Sequence, residues 1–190
     1  MNYEILRKRF FIFLFLLVFI KYASGLSIFK SGKYQGDEFV VMIPVGWEQR
    51  KELGGRFKEH GSYEKTEVAT FIHEDIDLEV QDPPAKISIT SRKLPHAVWI
   101  EDEWGDIVRA IRMAGMRVMD QGEIKVGGVI SKWIVFHNKK AKTLHLEFYM
   151  ITEKNMFYKL EYVSEDNKFG KYRPDFEYFK NSFEFRFSLF

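Results

Sequence analysis

Five histidines are the first residues to weigh for chemistry: His60, His73, His96, His137 and His145. None stands in a spacing such as HExxH, where two imidazoles one helical turn apart share a metal. His137 and His145 flank a turn at 138–142, and with a turn of that length they share one strand face with Trp133 and Glu147. A metal held there needs a third ligand, and Glu147 is the residue type that supplies one. The spacing carries no recognised ligand signature, however, and histidines near a hairpin tip are ordinary polar strand residues. No metal or cofactor is expected.

Two charged clusters invite the same question. His73, Glu74, Asp75, Asp77, Glu79 and Asp82 form an acidic stretch in which Asp75, Asp77 and Glu79 alternate with Ile76, Leu78 and Val80. Clustered carboxylates suit calcium, but the glycine and closing glutamate of an EF-hand loop are missing. A solvated strand face is the expectation. Lys139, Lys140 and Lys142 crowd one turn. They are too few for a nucleic-acid face, which needs a concentrated basic stripe. The chain has no GxSxG elbow, no Walker loop and no GxGxxG opening a helix. It has no cysteine, which excludes disulfides, thiolate metal sites and a cysteine nucleophile. No catalytic, cofactor-binding or metal residue is therefore assigned, and the chain is read as non-enzymatic.

The N-terminus carries a targeting pattern. Arg7, Lys8 and Arg9 precede an apolar run from Phe10 to Ile20, 11 residues long. A spanning helix needs roughly 20 apolar residues, so the run suits a signal-peptide core better than a membrane span. Ala23 and Gly25 place small residues at −3 and −1 for cleavage before Leu26. Residues 1–25 are thus expected to leave, and 26–190 to form one domain without a stable membrane span. Residues 1–25 hold four basic side chains against Glu4, so their loss takes the formal charge from +2 to −1. A chain so balanced has no electrostatic pull toward nucleic acid.

The remaining pattern describes the elements that must position any site. Strands are expected at 38–43, 68–73, 76–80 and 85–91, with a glycine-rich loop over 51–66. A helix over about 98–115 carries Ile100, Trp104, Ile107, Val108 and Ile111 on one stripe. Longer strands follow at about 117–126, 129–137, 143–152 and 155–164. Short turns between them imply an antiparallel meander. The strand at 129–137 is apolar on both faces, with Ile130, Ile134 and Phe136 on one and Val129, Trp133 and Val135 on the other. Such a sheet needs a cover on each face. A second helix is expected over about 173–182, opening on Pro174 with Asp175 and Glu177 in its first turn. It buries Phe176, Phe179 and Phe183 and leaves Lys180 exposed. Phe183, Phe185 and Phe187 then alternate as a last strand.

The order of these elements resembles a known family. Tyr34-x-x-Asp37-x-Phe39 leads into Ile43-Pro44-x-Gly46-Trp47, and a meander turns at Val126-Gly127-Gly128. Tyr158-x-Leu160-x-Tyr162-x-Ser164 then precedes a helix running into Asn181-Ser182-Phe183. Over roughly residues 30–188 the chain is similar to the PsbP-like family, named for the extrinsic oxygen-evolving subunit of photosystem II. The resemblance implies an α+β fold: a central antiparallel sheet of about six to seven strands with helices on both faces. It also implies an exported, non-enzymatic binding or accessory protein whose partner, protein or small molecule, stays open. The N-terminal signal looks bacterial, with no plastid transit peptide, which speaks against a photosystem role. Two alternatives stand beside this reading. One is a small outer-membrane β-barrel, since eight strands of about ten residues fit the length. The other is a periplasmic hydrolase whose site has no sequence signature.

Overall fold

Gly127 and Gly128 adopt φ of 57° and 85°. Two successive positive-φ residues form a tight turn that matches the twist of the strands it joins. That turn links β7 (Arg117–Val126) to β8 (Val129–Asn138), with Val126 paired to Val129. The chain continues through β9 (Thr143–Ile151) and β10 (Met156–Glu165), each antiparallel to the strand before it. These strands belong to a computed structural model that describes residues 32–51, 55–58, 65–73 and 85–186. The predicted signal segment 1–25, the acidic stretch 74–82 with its predicted strand, His60 and Phe187 lie outside the described residues.

Before the meander come β1 (Gly32–Gln35), β2 (Phe39–Ile43), β3 (Trp47–Gln49), β4 (Gly55–Lys58), β5 (Lys65–His73) and β6 (Ala85–Lys93). The main sheet runs β3-β5-β6-β10-β9-β8-β7, with β4 also paired to β5. Every pairing in it is antiparallel. A second sheet of three strands has the order β1-β2-β11, where β11 is Glu184–Phe185. The fold is α+β, as expected. The region read as a loop over 51–66 instead contains β4 and the start of β5. The path of the main sheet ends at β3 and β7, which do not pair with each other, so the described strands do not close into the ring a barrel requires.

Two helices complete the described residues. Helix α1 (Ile100–Met113) follows the predicted stripe: Ile100, Val108 and Ile111 are buried. Glu101, Asp102 and Glu103 fill its first turn and Arg112 its last, which suits the helix dipole. Helix α2 (Phe169–Asn181) begins earlier than Pro174 suggested, and the proline lies inside it. Burial sets the start: Phe169 and Tyr172 extend the stripe of Phe176 and Phe179 back by nearly two turns. Asp175 and Glu177 are therefore not first-turn residues. Asp175 instead accepts a hydrogen bond from Trp47 Nε1 at 3.1 Å. Lys180, expected to be exposed, is buried at 7% exposure. It lies one turn beyond Phe176 and so falls on the buried stripe. Its stem packs inward while its ammonium sits 5.1 Å from the Phe148 ring centroid and pairs with Glu177.

Two apolar clusters hold these parts. The larger gathers Phe39, Phe71, Ile87, Phe148, Tyr162 and Leu160 with Phe176 and Phe179 of α2 and Phe183 just beyond it. Its rings meet at 5.0 Å between Phe39 and Phe183, 5.4 Å between Phe71 and Phe179, and 5.5 Å between Tyr162 and Phe176. Each such pair is worth about 0.5–1.5 kcal/mol beyond the area it buries. The smaller cluster joins Ile100, Val108 and Ile111 of α1 to Ile134, Phe136, Tyr149 and Ile151. Along β8, Ile134 and Phe136 belong to the second cluster while Trp133 and Val135 pack against the first.

Candidate functional site

The hairpin between β8 and β9 decides which polar residues can meet. Its last pair is Asn138 with Thr143, so His137 stands opposite Leu144 and Phe136 opposite His145. The loop is one residue shorter than the predicted turn, and a one-residue change in register moves a side chain to the other face. His145 and Glu147 therefore share the face of Phe136 and Ile134, while His137 lies on the face of Trp133. The expected grouping of His137 with His145 and Glu147 does not form. His137 Nε2 lies 3.6 Å from Asp166 Oδ2 instead. His73 packs against Tyr172 at 4.7 Å with the rings tilted by 47° and meets Trp47 edge-on at 5.5 Å. His96 is exposed.

What joins His145 and Glu147 is Glu161, a residue the sequence does not single out. In β10 it stands directly opposite Glu147, and on its other side opposite Ser88 of β6. One ligand atom from each of His145, Glu147 and Glu161 lies within 4.8 Å of the others. Each has a neutral partner of its own. Thr143 Oγ1 is 3.1 Å from His145 Nε2, the Tyr149 hydroxyl donates to Glu147, and Ser88 Oγ donates to Glu161 at 2.8 Å. Phe136 stacks on the imidazole at 4.6 Å and fixes its plane. Lys159 Nζ stands 3.6 Å from both carboxylates, and Lys86 Nζ is 4.0 Å from Glu161.

Two like charges directly across a ladder repel. Their surroundings resolve the conflict by separating their proton affinities. Burial pushes the Glu147 carboxyl up; Lys159 works against this, and Glu161 adds to it. Burial also acts to raise Glu161, but the contacts of His145, Lys159, Lys86 and Ser88 outweigh it and hold that carboxyl well below the usual carboxylate range. Burial opposes the Lys159 ammonium, yet Glu147 and Glu161 outweigh burial and raise its pKa. Burial and the neighbouring Glu147 keep the Tyr149 phenol protonated far into alkali. The cluster thus has a charged half at Glu161 and Lys159 and a half at Glu147 and Tyr149 where burial opposes ionisation.

A separate cleft of about 510 Å³ lies where the start of α1 meets the β7–β8 turn and the end of β9. Trp99 and Ile130 line it and stand 67% and 44% exposed. Glu101, Glu153 and Lys125 provide charge at its walls. Its lining is mostly apolar with a few polar groups, the usual character of a binding cleft. In the sequence Trp99 falls within the predicted helix 98–115 and outside its apolar stripe, whereas the helix begins at Ile100. Its exposure depends on the turns packed around that helix start, which a linear pattern does not show. Among the described residues no helix is long and apolar enough to cross a membrane.

No protein-family model matches the sequence, and no curated protein matches it. Solved structures do match. A protein of Bacteroides thetaiotaomicron VPI-5482 aligns at 13% identity, over 84% of this chain and 50% of its own, with a TM-score of 0.49. LpqN of Mycobacterium tuberculosis, described as involved in cell envelope biogenesis, aligns at 7% identity, over 74% and 91%, with a TM-score of 0.45. The cyanobacterial PsbP (CyanoP) of Synechocystis sp. PCC 6803 aligns at 10% identity, over 85% of this chain and 95% of that one, with a TM-score of 0.54. The likeness to PsbP-like proteins carried by the tyrosine, glycine and tryptophan motifs is thus matched by the coordinates, and this chain has the PsbP fold.

Proposed function

We propose that the protein is an exported, non-enzymatic binding or accessory protein of the PsbP-like type. The observation that carries this reading is the fold, which matches cyanobacterial PsbP across nearly the whole of both chains. Export rests on the basic, apolar and small-residue segments at 7–25. In this reading α1 and α2 cover opposite faces of the main sheet. The alternation along β8 between residues of the two clusters supports that placement, because successive strand residues point to opposite faces. The cleft around Trp99 is the binding surface, since it pairs an open apolar wall with a few charges.

Two measurements test the proposal. Intact mass of the protein recovered from the exported fraction should show residues 1–25 removed, with Leu26 at the new terminus; a full-length mass there overturns the cleavage. Cross-linking in intact cells should capture a partner with the wild type and lose it with Trp99→Ala. Hydrolysis of a general ester, phosphate or glycoside substrate, abolished by both Glu147→Gln and Glu161→Gln, would instead favour the periplasmic hydrolase.

A further inference from the structure

We propose that His145, Glu147 and Glu161 form a binding site for one divalent transition-metal cation of the zinc class. The donor set of one imidazole and two carboxylates suits that class, which takes nitrogen and oxygen ligands in small numbers. The three donor atoms already lie within 4.8 Å of one another. The site is also built in the manner of a metal centre beyond its ligands. His145, Glu147 and Glu161 are each oriented by a separate hydroxyl, from Thr143, Tyr149 and Ser88. Such outer partners are what fix ring plane and carboxylate angle at a metal.

The imidazole supplies an independent observation. His145 Nδ1 is buried and makes no hydrogen bond, and Glu161 Oε1 faces it at 3.7 Å. In the tautomer that carries its proton on Nε2, the Nδ1 lone pair and Glu161 Oε1 face the same point. In that tautomer the two electron-rich atoms call for a cation between them. Lys159 answers that call only loosely. Its ammonium is 3.6 Å from each carboxylate, longer than the roughly 2.7–2.9 Å of a charge-assisted hydrogen bond. Its side chain is 26% exposed, so the ammonium has a path outward. Lys159 is therefore the competitor of the metal, occupying the anionic side of the site until the metal displaces it.

The sequence carries no signature of this set. The three ligands sit on two strands at spacings of 2 and 14 residues, and only the β9–β10 register brings them together. The inference does not rest on the proposed binding function, because the ligand cluster shares no residue with the cleft.

The test is zinc titration of the purified full-length protein by calorimetry, with metal analysis after dialysis against Zn²⁺. The wild type should retain one equivalent and gain thermal stability from it. His145→Ala and Glu161→Gln should each weaken binding about tenfold or more. Thr143→Val keeps every ligand and the fold, and should weaken binding while leaving the melting temperature of the metal-free protein unchanged. Lys159→Met should tighten binding. Failure of the wild type to retain zinc overturns the proposal, whether or not Lys159→Met then binds it. Retention unaffected by both ligand substitutions overturns it as well.

Discussion

At the scale of the residue, Glu147 and Glu161 show how one ladder position holds two carboxylates of opposite habit. Glu147 is buried at 4% exposure and its charge is opposed; Glu161 is ionised and held by a histidine, two lysines and a serine. Glu147→Gln keeps an acceptor for the Tyr149 hydroxyl and removes the cost of burying a carboxyl whose charge is opposed, so it should raise the melting temperature. Glu161→Gln should lower stability by about 1–3 kcal/mol, the usual cost of leaving charged and polar partners without their acceptor. Chemical denaturation of both variants at neutral pH checks the difference in sign. A depressed carboxylate pKa contributes stability that is present above its unfolded value of 4.5 and lost as pH falls. Denaturation at falling pH should therefore show a component that is absent from Glu161→Gln. Tyr162 gives the alkaline counterpart. Its hydroxyl donates to the Phe169 carbonyl at 2.8 Å, and burial pushes its pKa up to about 12 from 10.0. A raised value contributes stability that is complete below pH 10 and lost as pH climbs through 12. Tyr162→Phe should flatten the stability profile across that window.

At the scale of the element, α2 acts as the cover of the larger cluster. Phe179 is fully buried and meets Phe71 edge-on, while Tyr178 on the same turn is 48% exposed. Phe179→Ala should cost about 3–5 kcal/mol. Tyr178→Ala should stay within about 0.5 kcal/mol of wild type. A pair of melting curves decides it, and equal shifts would mean the helix is not the cover. Much of this was legible in the sequence. The α1 stripe, the two apolar faces of β8 and the double-glycine turn each rest on local period or local backbone freedom. The start of α2 was not, because Pro174 is a strong local signal and the burial of Phe169 and Tyr172 is a tertiary fact. The polar cluster was hidden for a related reason. Neither Lys159 nor Glu161 stands out in the sequence, and both become part of a cluster only through pairing with β6 and β9. His137 was misplaced by one residue of loop length, the smallest error that reverses a face.

At the scale of the whole molecule, the two candidate sites make opposite demands. The polar cluster is inside the fold, so substitutions there move stability and ligand affinity together. The cleft is at the surface, and Trp99 is mostly exposed. Trp99→Ala should leave the melting temperature unchanged while removing partner capture, and a large loss of stability would place Trp99 among the structural residues instead. The fold match with PsbP covers most of both chains at 10% identity. At that identity the likeness is one of fold and assigns neither site.

The small sheet has a consequence for biogenesis. Its middle strand, β2, is joined on one side to β1 and on the other to β11, so Val40 pairs with Glu184 and Phe39 with Phe185. Met42 N–H also donates to Ser182 Oγ at 2.9 Å across 140 residues of sequence. Contacts that span so much chain form late, because the entropy of closing the loop is spent before they give anything back. The first strands to emerge from a ribosome or a translocation pore therefore wait unpaired on one edge until the last turn of α2 has followed them. The meander can pair as it emerges, but the small sheet is complete only when the segment after α2 arrives.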